Sequence, residues 1–516
     1  IENTLSEGVY YWKVAAVNAQ GVAWSNETRK ITIDTVAPSI TSVLPPDSQI
    51  DVPIDNNVVV NFSETVTNAD ISQTGGSVVV YYGPNWNADN TQATWTHDDW
   101  VPGNTITLKI FNYIDRAGNT GTDYIWSFTT LPIPTKPVLQ SPENDNYTND
   151  NTPTFTWLDS SKETSYRLVI DDDPNFADGD NTYDNANIPA DTTSVTIENE
   201  LPEGVWYWRV MAANSSGENW SENTWKLTVD VTSPTSQIQV SDTLITDADV
   251  GQKLTVTITF SEPMNISINP TISFIPDVTA DTLTSSESWW STDNTTYYEN
   301  FTISDANVEN SNVDVSVTGG KDLAGNAQVD NTGVDMFSID TRNPTKPTNL
   351  QPDNNAYDND NTPTFRWTEP ETPENYTLVI DDAPDFLTPV QTITNITDNE
   401  NTLTSALSDG TYYWRIRMYD QAGNASEWSD NFKLVIDTQP PTVSSTTPAD
   451  GATNVPINQD VIIVFNESLD SNTAPDLIDN AGTSYTGPTW GTQTNENDKA
   501  TWTHGDWTGG ENISIT

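Results

Sequence analysis

The chain has 516 residues, more than one hydrophobic core can hold, so about three to five domains are expected. Hydrophobic residues make up 34% of it and aromatic residues 10%, which is enough to fill β-sandwich cores and excludes a disordered chain. Nineteen basic residues against 74 acidic ones give a net charge of -55, which excludes nucleic acid and anionic membrane surfaces as partners.

The first element in chain order is a strand-rich ending, EGVYYWKVAAVNAQGVAWS, which is one of three similar endings. They begin at Glu7, Glu203 and Asp409. The second and third close complete units at 134–233 and 344–440, whose opening segments match each other at a spacing of 210 residues. We therefore interpret residues 1–37 as the C-terminal half of such a unit, with its front half missing.

A second kind of unit occupies 38–133 and recurs at 441–516, where Pro45 and Phe62 are matched 403 residues later by Pro448 and Phe465. The later copy is predicted to be only the N-terminal part of a unit, because its closing strands are missing. A third kind of unit fills 234–343. This order suggests a super-repeat of about 400 residues, cut as a window from a longer repetitive chain.

Within the units, runs such as VVVNF, KLTVTITF and YYWRIRM alternate apolar and polar residues and are rich in β-branched and aromatic side chains. Gly, Pro, Asn and Asp separate them at short intervals, which is the pattern of an all-β sandwich. Four unit boundaries are a strand followed by Asp and then Pro, as in IDTVAP and VDVTSP. Because proline restricts the residue before it, we expect short, stiff linkers and a rod-like array.

These motifs resemble known surface-protein modules. GTYYWRIRMYDQAGNASEWSDNFKLVIDTQPPT is similar to the closing strands of fibronectin type III-like or Ig-like modules in large bacterial and archaeal surface proteins. PPTVSSTTPADGATNVPINQDVIIVFNESL, and VTITFSEPM with its later DLAGN, resemble bacterial Ig-like domains of adhesins and surface-layer proteins. The resemblance covers essentially the whole chain. It implies a linear array of Ig-like and fibronectin type III-like β-sandwich domains in an extracellular, cell-surface setting.

Catalysis has few candidate residues. The chain has no cysteine, and its two histidines, His97 and His504, occupy the same place in two copies of one unit. The favoured interpretation is a Trp–Thr–His turn packed beside the following Asp. No nucleophile elbow, phosphate loop or zinc spacing occurs, and no apolar run is long enough to span a membrane in this segment. We predict no enzyme and no organic cofactor.

Calcium is the predicted cation, since it prefers carboxylate and carbonyl oxygens on loops. The candidate ligands are the linker aspartates and the first and last residues of the D-x-A-G-N turns. They are Asp34, Asp230, Asp340, Asp437, Asp115, Asn119, Asp322, Asn326 and Asp420, with Asn424 closing the last turn. Acidic strand ends, Asp171–Asp173 and Asp381–Asp382, offer further carboxylates. For the turns, the alternative is structural: Gly takes a positive φ while Asp or Asn bonds the local backbone.

Thirteen N-x-Ser/Thr sequons are candidate glycosylation sites, although a chain this rich in Asn, Ser and Thr reaches a similar number by chance. They are Asn26, Asn61, Asn146, Asn214, Asn219, Asn265, Asn294, Asn300, Asn375, Asn395, Asn424, Asn466 and Asn512. Most of the 19 tryptophans recur in fixed strand positions and are expected in or near cores. The adjacent Trp289 and Trp290 are expected to point to opposite faces of a strand, leaving one free to contact a sugar.

The sequence therefore predicts a non-catalytic repeat region of a filament, surface layer or adhesin stalk, which self-associates into a fibre or lattice. The alternative is a set of modules that bind a glycan or a host-surface protein, in an adhesin or beside a secreted carbohydrate-active enzyme.

Overall fold

The structure is a computed structural model that describes residues 4–516 except 178, 180, 474, 475, 494, 495 and 511. This part of the chain contains forty β-strands, which form eleven sheets, and one short 3-10 helix. The all-β prediction is thus confirmed. Across the described residues, we find no helix with the length and apolar character needed to cross a bilayer.

Residues 4–33 form two separate hairpin-like sheets, β1–β4 and β2–β3. Their strands are β1 Gly8–Trp12, β2 Ala15–Asn18, β3 Gly21–Trp24 and β4 Arg29–Ile33. Most of their apolar side chains are exposed, which is typical of sheet faces without a packing partner.

The module at 38–133 is a sandwich of two antiparallel sheets, ordered β5-β6-β9-β8 and β11-β10-β7. Its strands are β5 Ile40–Leu44, β6 Val58–Phe62, β7 Val66–Gly75, β8 Tyr81–Trp86, β9 Gln92–His97, β10 Thr105–Asp115 and β11 Tyr124–Thr129. Alternate residues of β6, namely Val58, Val60 and Phe62, point into the core, where Trp95 and Leu108 from the two sheets meet them.

The module at 134–233 has a three-stranded sheet, β12-β14-β17, packed on a larger sheet, β13-β20-β18-β15-β16, to which β19 adds at β18. Its strands are β12 Val138–Ser141, β13 Asn146–Thr148, β14 Thr154–Leu158, β15 Ser165–Asp171, β16 Tyr183–Pro189, β17 Ser194–Thr196, β18 Gly204–Asn214, β19 Gly217–Trp220 and β20 Trp225–Val229. Trp208 is fully buried in the core, edge-on to Phe155 with ring centroids 5.0 Å apart.

The module at 234–343 pairs the sheet β21-β23-β26-β25 with the sheet β22-β28-β27-β24. Its elements are β21 Ser236–Val240, β22 Leu244–Thr246, the 3-10 helix Asp247–Asp249, β23 Lys253–Phe260, β24 Thr271–Ile275, β25 Leu283–Trp290, β26 Thr296–Ile303, β27 Glu309–Thr318 and β28 Asn331–Asp340. Phe274 lies at the centre of its core, edge-on to Phe301 and Phe337.

The module at 344–440 repeats the arrangement at 134–233, with sheets β29-β31-β34 and β30-β36-β35-β32-β33. Its strands are β29 Thr348–Gln351, β30 Ala356–Asp358, β31 Thr364–Thr368, β32 Asn375–Asp381, β33 Gln391–Ile396, β34 Glu400–Thr402, β35 Gly410–Tyr419 and β36 Phe432–Ile436. Trp414 and Phe365 repeat the buried edge-on pair, with ring centroids 4.7 Å apart.

Residues 441–516 form one four-stranded sheet, β37-β38-β40-β39. Its strands are β37 Val443–Thr447, β38 Val461–Phe465, β39 Tyr485–Gly491 and β40 Lys499–His504. Its buried core is the smallest of the five, with Val461, Ala500, Trp502 and Trp507.

The segment at 4–33 differs from the modules at 134–233 and 344–440 in the burial of its tryptophan, Trp12. It occupies the sequence position of Trp208 and Trp414, but it is 44% exposed, whereas they are completely buried. In the complete modules a phenylalanine from the smaller sheet covers the indole, and residues 4–33 contain no such sheet.

The first and last parts of each complete module lie side by side in the same direction. β13 pairs in parallel with β20, β22 with β28, and β30 with β36, among sheets that are otherwise antiparallel. In the module at 38–133 a parallel bridge joins Val52 to Thr130 at the corresponding place. A short early strand therefore closes against the strand that leads into the next module.

Candidate metal centres at the module junctions

The linker aspartates have the same local geometry at four junctions. Each lies at or directly after the end of the last strand of one module, and its carboxylate accepts a hydrogen bond from the backbone N–H two residues later, at 3.1–3.3 Å. These residues are Asp34, Asp230, Asp340 and Asp437. The turn directs each linker toward the following proline and fixes where the carboxylate points.

The D-x-A-G-N turns are also built by local hydrogen bonds. Asp115 Oδ1 accepts from the backbone N–H groups of Ala117 and Asn119, at 2.8 and 2.9 Å. Gly118 has φ of +95°, a conformation that glycine adopts without strain. The other two turns repeat the bond from the last residue, since Asp322 Oδ1 accepts from the backbone N–H of Asn326 and Asp420 Oδ1 from that of Asn424, both at 2.9 Å. These local bonds and the positive φ of Gly118 are the features that the structural interpretation of the turns describes. The turns also make a contact with the preceding linker.

The last residue of each turn reaches across to the preceding linker. Asn119, Asn326 and Asn424, called here the junction asparagines, donate from Nδ2 to the backbone carbonyls of Asp34, Asp230 and Asp340, at 3.1, 2.8 and 2.8 Å. The same nitrogen also donates to the aspartate that opens its own turn. One amide therefore joins linker and turn, which places the two predicted sets of calcium ligands in one site.

A glutamate completes the site at two junctions. Glu64 follows β6 and Glu262 follows β23, each as the last residue of a Phe-Ser-Glu segment. One carboxylate oxygen from each of three residues lies within 4.8 Å of the others in two junction triads. The junction triads are Asp34–Glu64–Asp115 and Asp230–Glu262–Asp322.

The electrostatics of the junction triads disfavour three ionised carboxylates with no proton or cation between them. Burial, followed by the charges of Asp230 and Asp322, raises the pKa of Glu262 to about 7. Burial, followed by Asp34 and Asp115, raises the pKa of Glu64. Burial opposes ionisation of Asp115 too, but hydrogen bonds from Asn119, Ala117 and Gly118 outweigh it and lower the pKa of Asp115. A proton or a cation would relieve the repulsion, and three carboxylates suit a hard divalent cation such as Ca²⁺.

The junctions at Asp340 and Asp437 have fewer carboxylates close together. At Asp340, burial and the charge of Asp420 raise the aspartate's pKa, and Asp247 of the preceding module donates its backbone N–H to Asn424 Oδ1 at 3.0 Å. At Asp437, burial and the charge of that aspartate raise the pKa of Glu467, which occupies the place of Glu64. Neither junction has three carboxylates within 4.8 Å in the described part of the chain.

A third group of three carboxylates, Asp159, Glu163 and Asp191, lies within the module at 134–233 rather than at a junction. In the module at 344–440, Glu369 and Pro373 match Asp159 and Glu163, and no group of three carboxylates is found there among the described residues. Among the described residues, the acidic strand ends Asp171–Asp173 and Asp381–Asp382 enter none of the three groups.

The sequons differ in how free their amide nitrogens are. Asn300 and Asn424 are buried, and the Nδ2 atoms of Asn61, Asn214, Asn219, Asn300 and Asn424 all donate hydrogen bonds to protein atoms. A glycan on Nδ2 would remove one of its donor hydrogens, which makes these five the least suitable sites. Exposed sequon residues are Asn26, Asn146, Asn395, Asn466 and Asn512.

Residues 34–130 and 437–507 match a family model described as a bacterial Ig-like domain, and residues 348–438 match a second model with the same description. This chain carries bacterial Ig-like domains in tandem. Among curated proteins, no sequence matches it.

Solved structures similar to this array of bacterial Ig-like domains include Sidekick-1 immunoglobulin domains 1–5, at 8% identity and a TM-score of 0.27, covering 84% of this chain and 86% of that one. The FN1–FN3 domains of chicken CNTN1 align at 13% identity and a TM-score of 0.21, over 59% of this chain and 98% of that one. Domains 1–6 of the surface layer protein SbsC align at 13% identity and a TM-score of 0.17, over 93% of this chain and 64% of that one.

Sequence reasoning missed the glutamates of the bacterial Ig-like junctions. Glu64 and Glu262 are two of 74 acidic residues, and neither lies near its partners in sequence. The available signal was the repeated Phe-Ser-Glu at the end of a predicted strand, with Phe465-Asn466-Glu467 as a variant. Strand pairing is needed to bring that strand end beside the linker and the turn.

Proposed function

We propose that this chain is a non-catalytic structural repeat region of a long extracellular surface protein, forming part of a filament, surface layer or adhesin stalk. The observation that supports it best is the recurrence of the same linker contact from one junction to the next. Modules that serve separate binding or catalytic roles have no need of repeated contacts that fix their relative direction.

The contact recurs even where the linker sequence differs. The junction near residue 133 lacks the Asp–Pro pattern, yet Asn214 Nδ2 donates to the carbonyl of Pro132 at 2.8 Å and Asn219 Nδ2 to that of Pro134 at 2.7 Å. Lys162 also forms an ion pair with Asp51 across this junction, at 2.7 Å. Asparagine amides therefore hold the linkers at four junctions in the described chain.

The test replaces the amides that hold the linkers. We expect Asn119→Ala with Asn326→Ala to increase bending at two junctions, because each loses a hydrogen bond of about 1 kcal/mol to a linker carbonyl. Small-angle X-ray scattering should then show a shorter maximum dimension and a broader distance distribution. Asn223→Ala, at an exposed asparagine outside the junctions, is the control. Equal scattering curves for the double variant and the wild type would contradict the proposal.

We further propose that calcium binds at the junction triads and supports the same straight arrangement. Asp34, Glu64 and Asp115, and separately Asp230, Glu262 and Asp322, would hold it. Each triad combines a residue from the linker with two from the following module, so a bound divalent cation would neutralise repulsion between the parts that it joins. Self-association of such rods into a fibre or lattice is part of this proposal.

The competing function is recognition of a glycan, and one aromatic pair favours it. Trp289 is 43% exposed and lies flat on Tyr298, with ring centroids 5.1 Å apart and an angle of 12° between the planes. Trp290 packs instead against the core, as expected for adjacent strand residues. An open indole face can stack on a sugar ring.

Glycan binding is tested by Trp289→Ala. If the module at 234–343 binds glycans, the wild-type chain should bind on a glycan array and the variant should lose the signal by at least about tenfold, the equivalent of one stacking contact of about 1.4 kcal/mol. Val334→Ala, an exposed apolar residue on β28, is the matched control. If the wild-type chain binds no glycan, the result contradicts the glycan-binding function and favours the structural one.

A further inference from the structure

Arginine and aromatic side chains are stacked on the outer face of the larger sheet in the module at 344–440. Arg415 lies between Phe386 and Trp428, with its Cζ atom 4.2 and 4.4 Å from the two ring centroids. Arg417 also lies on the Trp428 ring, at 4.6 Å, and on the ring of Tyr419, at 4.9 Å. Because cations are attracted to the faces of aromatic rings, this stack holds both guanidinium groups in place.

The two arginines have no counter-ion within the module. They alternate along β35 with the core residues Trp414 and Ile416, so they point away from the core. Each Nε atom is buried without a hydrogen-bond partner, and no ion pair or hydrogen bond joins either guanidinium to another described residue. Burial, followed by the charge of Arg417, lowers the pKa of Arg415. The two cations therefore repel each other, and a carboxylate from outside the module would relieve that repulsion.

The module at 134–233 contains the same stack with an internal counter-ion. Arg209, at the position of Arg415, again lies on a tryptophan, Trp220, at 4.2 Å. The second arginine on that ring is Arg167, which donates from Nε and Nη2 to the carboxylate of Asp184 at 2.8 and 2.6 Å. An ion pair therefore neutralises the second cation of this module.

The strand pairing explains why the module at 344–440 lacks such an ion pair. Arg417 belongs to β35 and lies directly across from Thr377, which occupies the place of Arg167 on the neighbouring strand. On the next strand, the position of Asp184 is occupied by Thr392. The module thus keeps two cations in the stack but has lost the carboxylate that balances one of them.

We propose that Arg415 and Arg417 bind carboxylates of a second copy of this chain. One arginine can donate two parallel hydrogen bonds to a single carboxylate, and its planar group is already oriented for them. Charge favours a second copy as the occupant, because the chain has 74 acidic residues and only 19 basic ones. This inference rests on the proposed self-association of the rods and supplies one contact for it.

The high negative charge of the chain also opposes association, so the salt concentration decides which effect is larger. At about 0.15 M ionic strength, exposed charges more than about 8 Å apart are largely screened. A partly buried ion pair in direct contact is screened much less. Association through this face is therefore expected at moderate ionic strength, where the general repulsion between two chains is weak.

The test measures self-association of the whole chain by sedimentation velocity at about 0.15 M salt. Arg417→Gln should weaken association at least about tenfold, because it removes one set of charge-assisted hydrogen bonds. Thr377→Asp keeps both arginines but places a carboxylate directly across from Arg417, so it should weaken association to a similar extent. The melting transition of the module at 344–440 checks that each variant is folded.

Arg366→Gln is the matched control. It removes the same charge from an exposed residue of the same module, one that already pairs with Glu400 at 2.7 Å, and it should leave association unchanged. If association persists unchanged in Arg417→Gln and Thr377→Asp, the contact lies on another face and the proposal is overturned.

A wild-type chain that stays monomeric would also overturn the proposal, but it would not bear on the stiffness of the linkers, which scattering measures separately. Acetate added to such a monomeric chain identifies the alternative occupant. If acetate shifts the side-chain NMR signals of Arg417, the face takes a carboxylate from a different molecule, and the second copy is excluded.

Discussion

Trp414→Ala should lower the melting temperature of the module at 344–440 by about 15 °C or more while the other modules keep theirs. Trp414 is completely buried between Phe365 and Phe432, and deletion of a buried tryptophan costs about 3–5 kcal/mol. The core cluster that contains it draws only on residues 350–436, so the loss stays within one module. Calorimetry of the whole chain, with hydrogen exchange to assign each transition, measures the effect.

Trp12→Ala is the control, since Trp12 occupies the same sequence position but is 44% exposed. It should cost less than about 1 kcal/mol, because a half-exposed indole loses little packing when it is removed. A shift of every transition in Trp414→Ala would show that the modules share their stability, in conflict with their separate cores.

Calcium should stabilise the chain through at least the two junction triads. At a free calcium concentration 100 times the Kd, each occupied site adds about 2.7 kcal/mol to the stability of the folded state that forms it. Titration calorimetry at fixed ionic strength should count the sites, and chelation should lower the melting temperature of the flanking modules. Glu64→Gln with Glu262→Gln should remove two sites while leaving the turns of Asp115 and Asp322 intact.

Glu198→Gln, at an exposed carboxylate outside the junctions, should keep every site. Loss of two calcium ions in the double variant but none in this control identifies the junction triads, whereas equal stoichiometry in all three chains rules them out. The proton competes with calcium at Glu262, whose raised pKa of about 7 means that the metal-free fold gains stability from its protonated form. That gain is complete below pH 4.5 and lost as the pH rises through 7, so calcium should bind more weakly in acid.

Much of the fold could be predicted because each module repeats its local signals. Alternation along VVVNF and YYWRIRM assigned strands whose inward residues, such as Val60 and Trp414, are indeed buried. The A-G-N turns required a glycine with positive φ, and Gly118 has it. These features depend on residues that are close in sequence, and each was seen in two or more copies.

The candidate sites depend on distant residues, which the repeats alone do not place. Asn119 and the carbonyl of Asp34 are 85 residues apart in sequence, and only the packing of successive modules brings them to 3.1 Å. The aspartates of linkers and turns were predicted as separate sets, whereas Asp34 and Asp115 share one site with Glu64. His97 likewise has its partner far away in sequence, since its Nε2 lies 3.0 Å from the backbone carbonyl oxygen of Asn56, 41 residues earlier.

The parallel closure of each module determines how it would respond to a pull. A load passed along the array enters a module near its first strands and leaves through its last, in opposite directions. Because β13 and β20, β22 and β28, and β30 and β36 run in parallel, that load acts along the strands rather than across them. Their hydrogen bonds lie across the direction of the load and share it as a shear clamp, whereas an antiparallel pair pulled from one end would open bond by bond. Such a chain would yield module by module under tension, each clamp failing as a unit before its core is exposed.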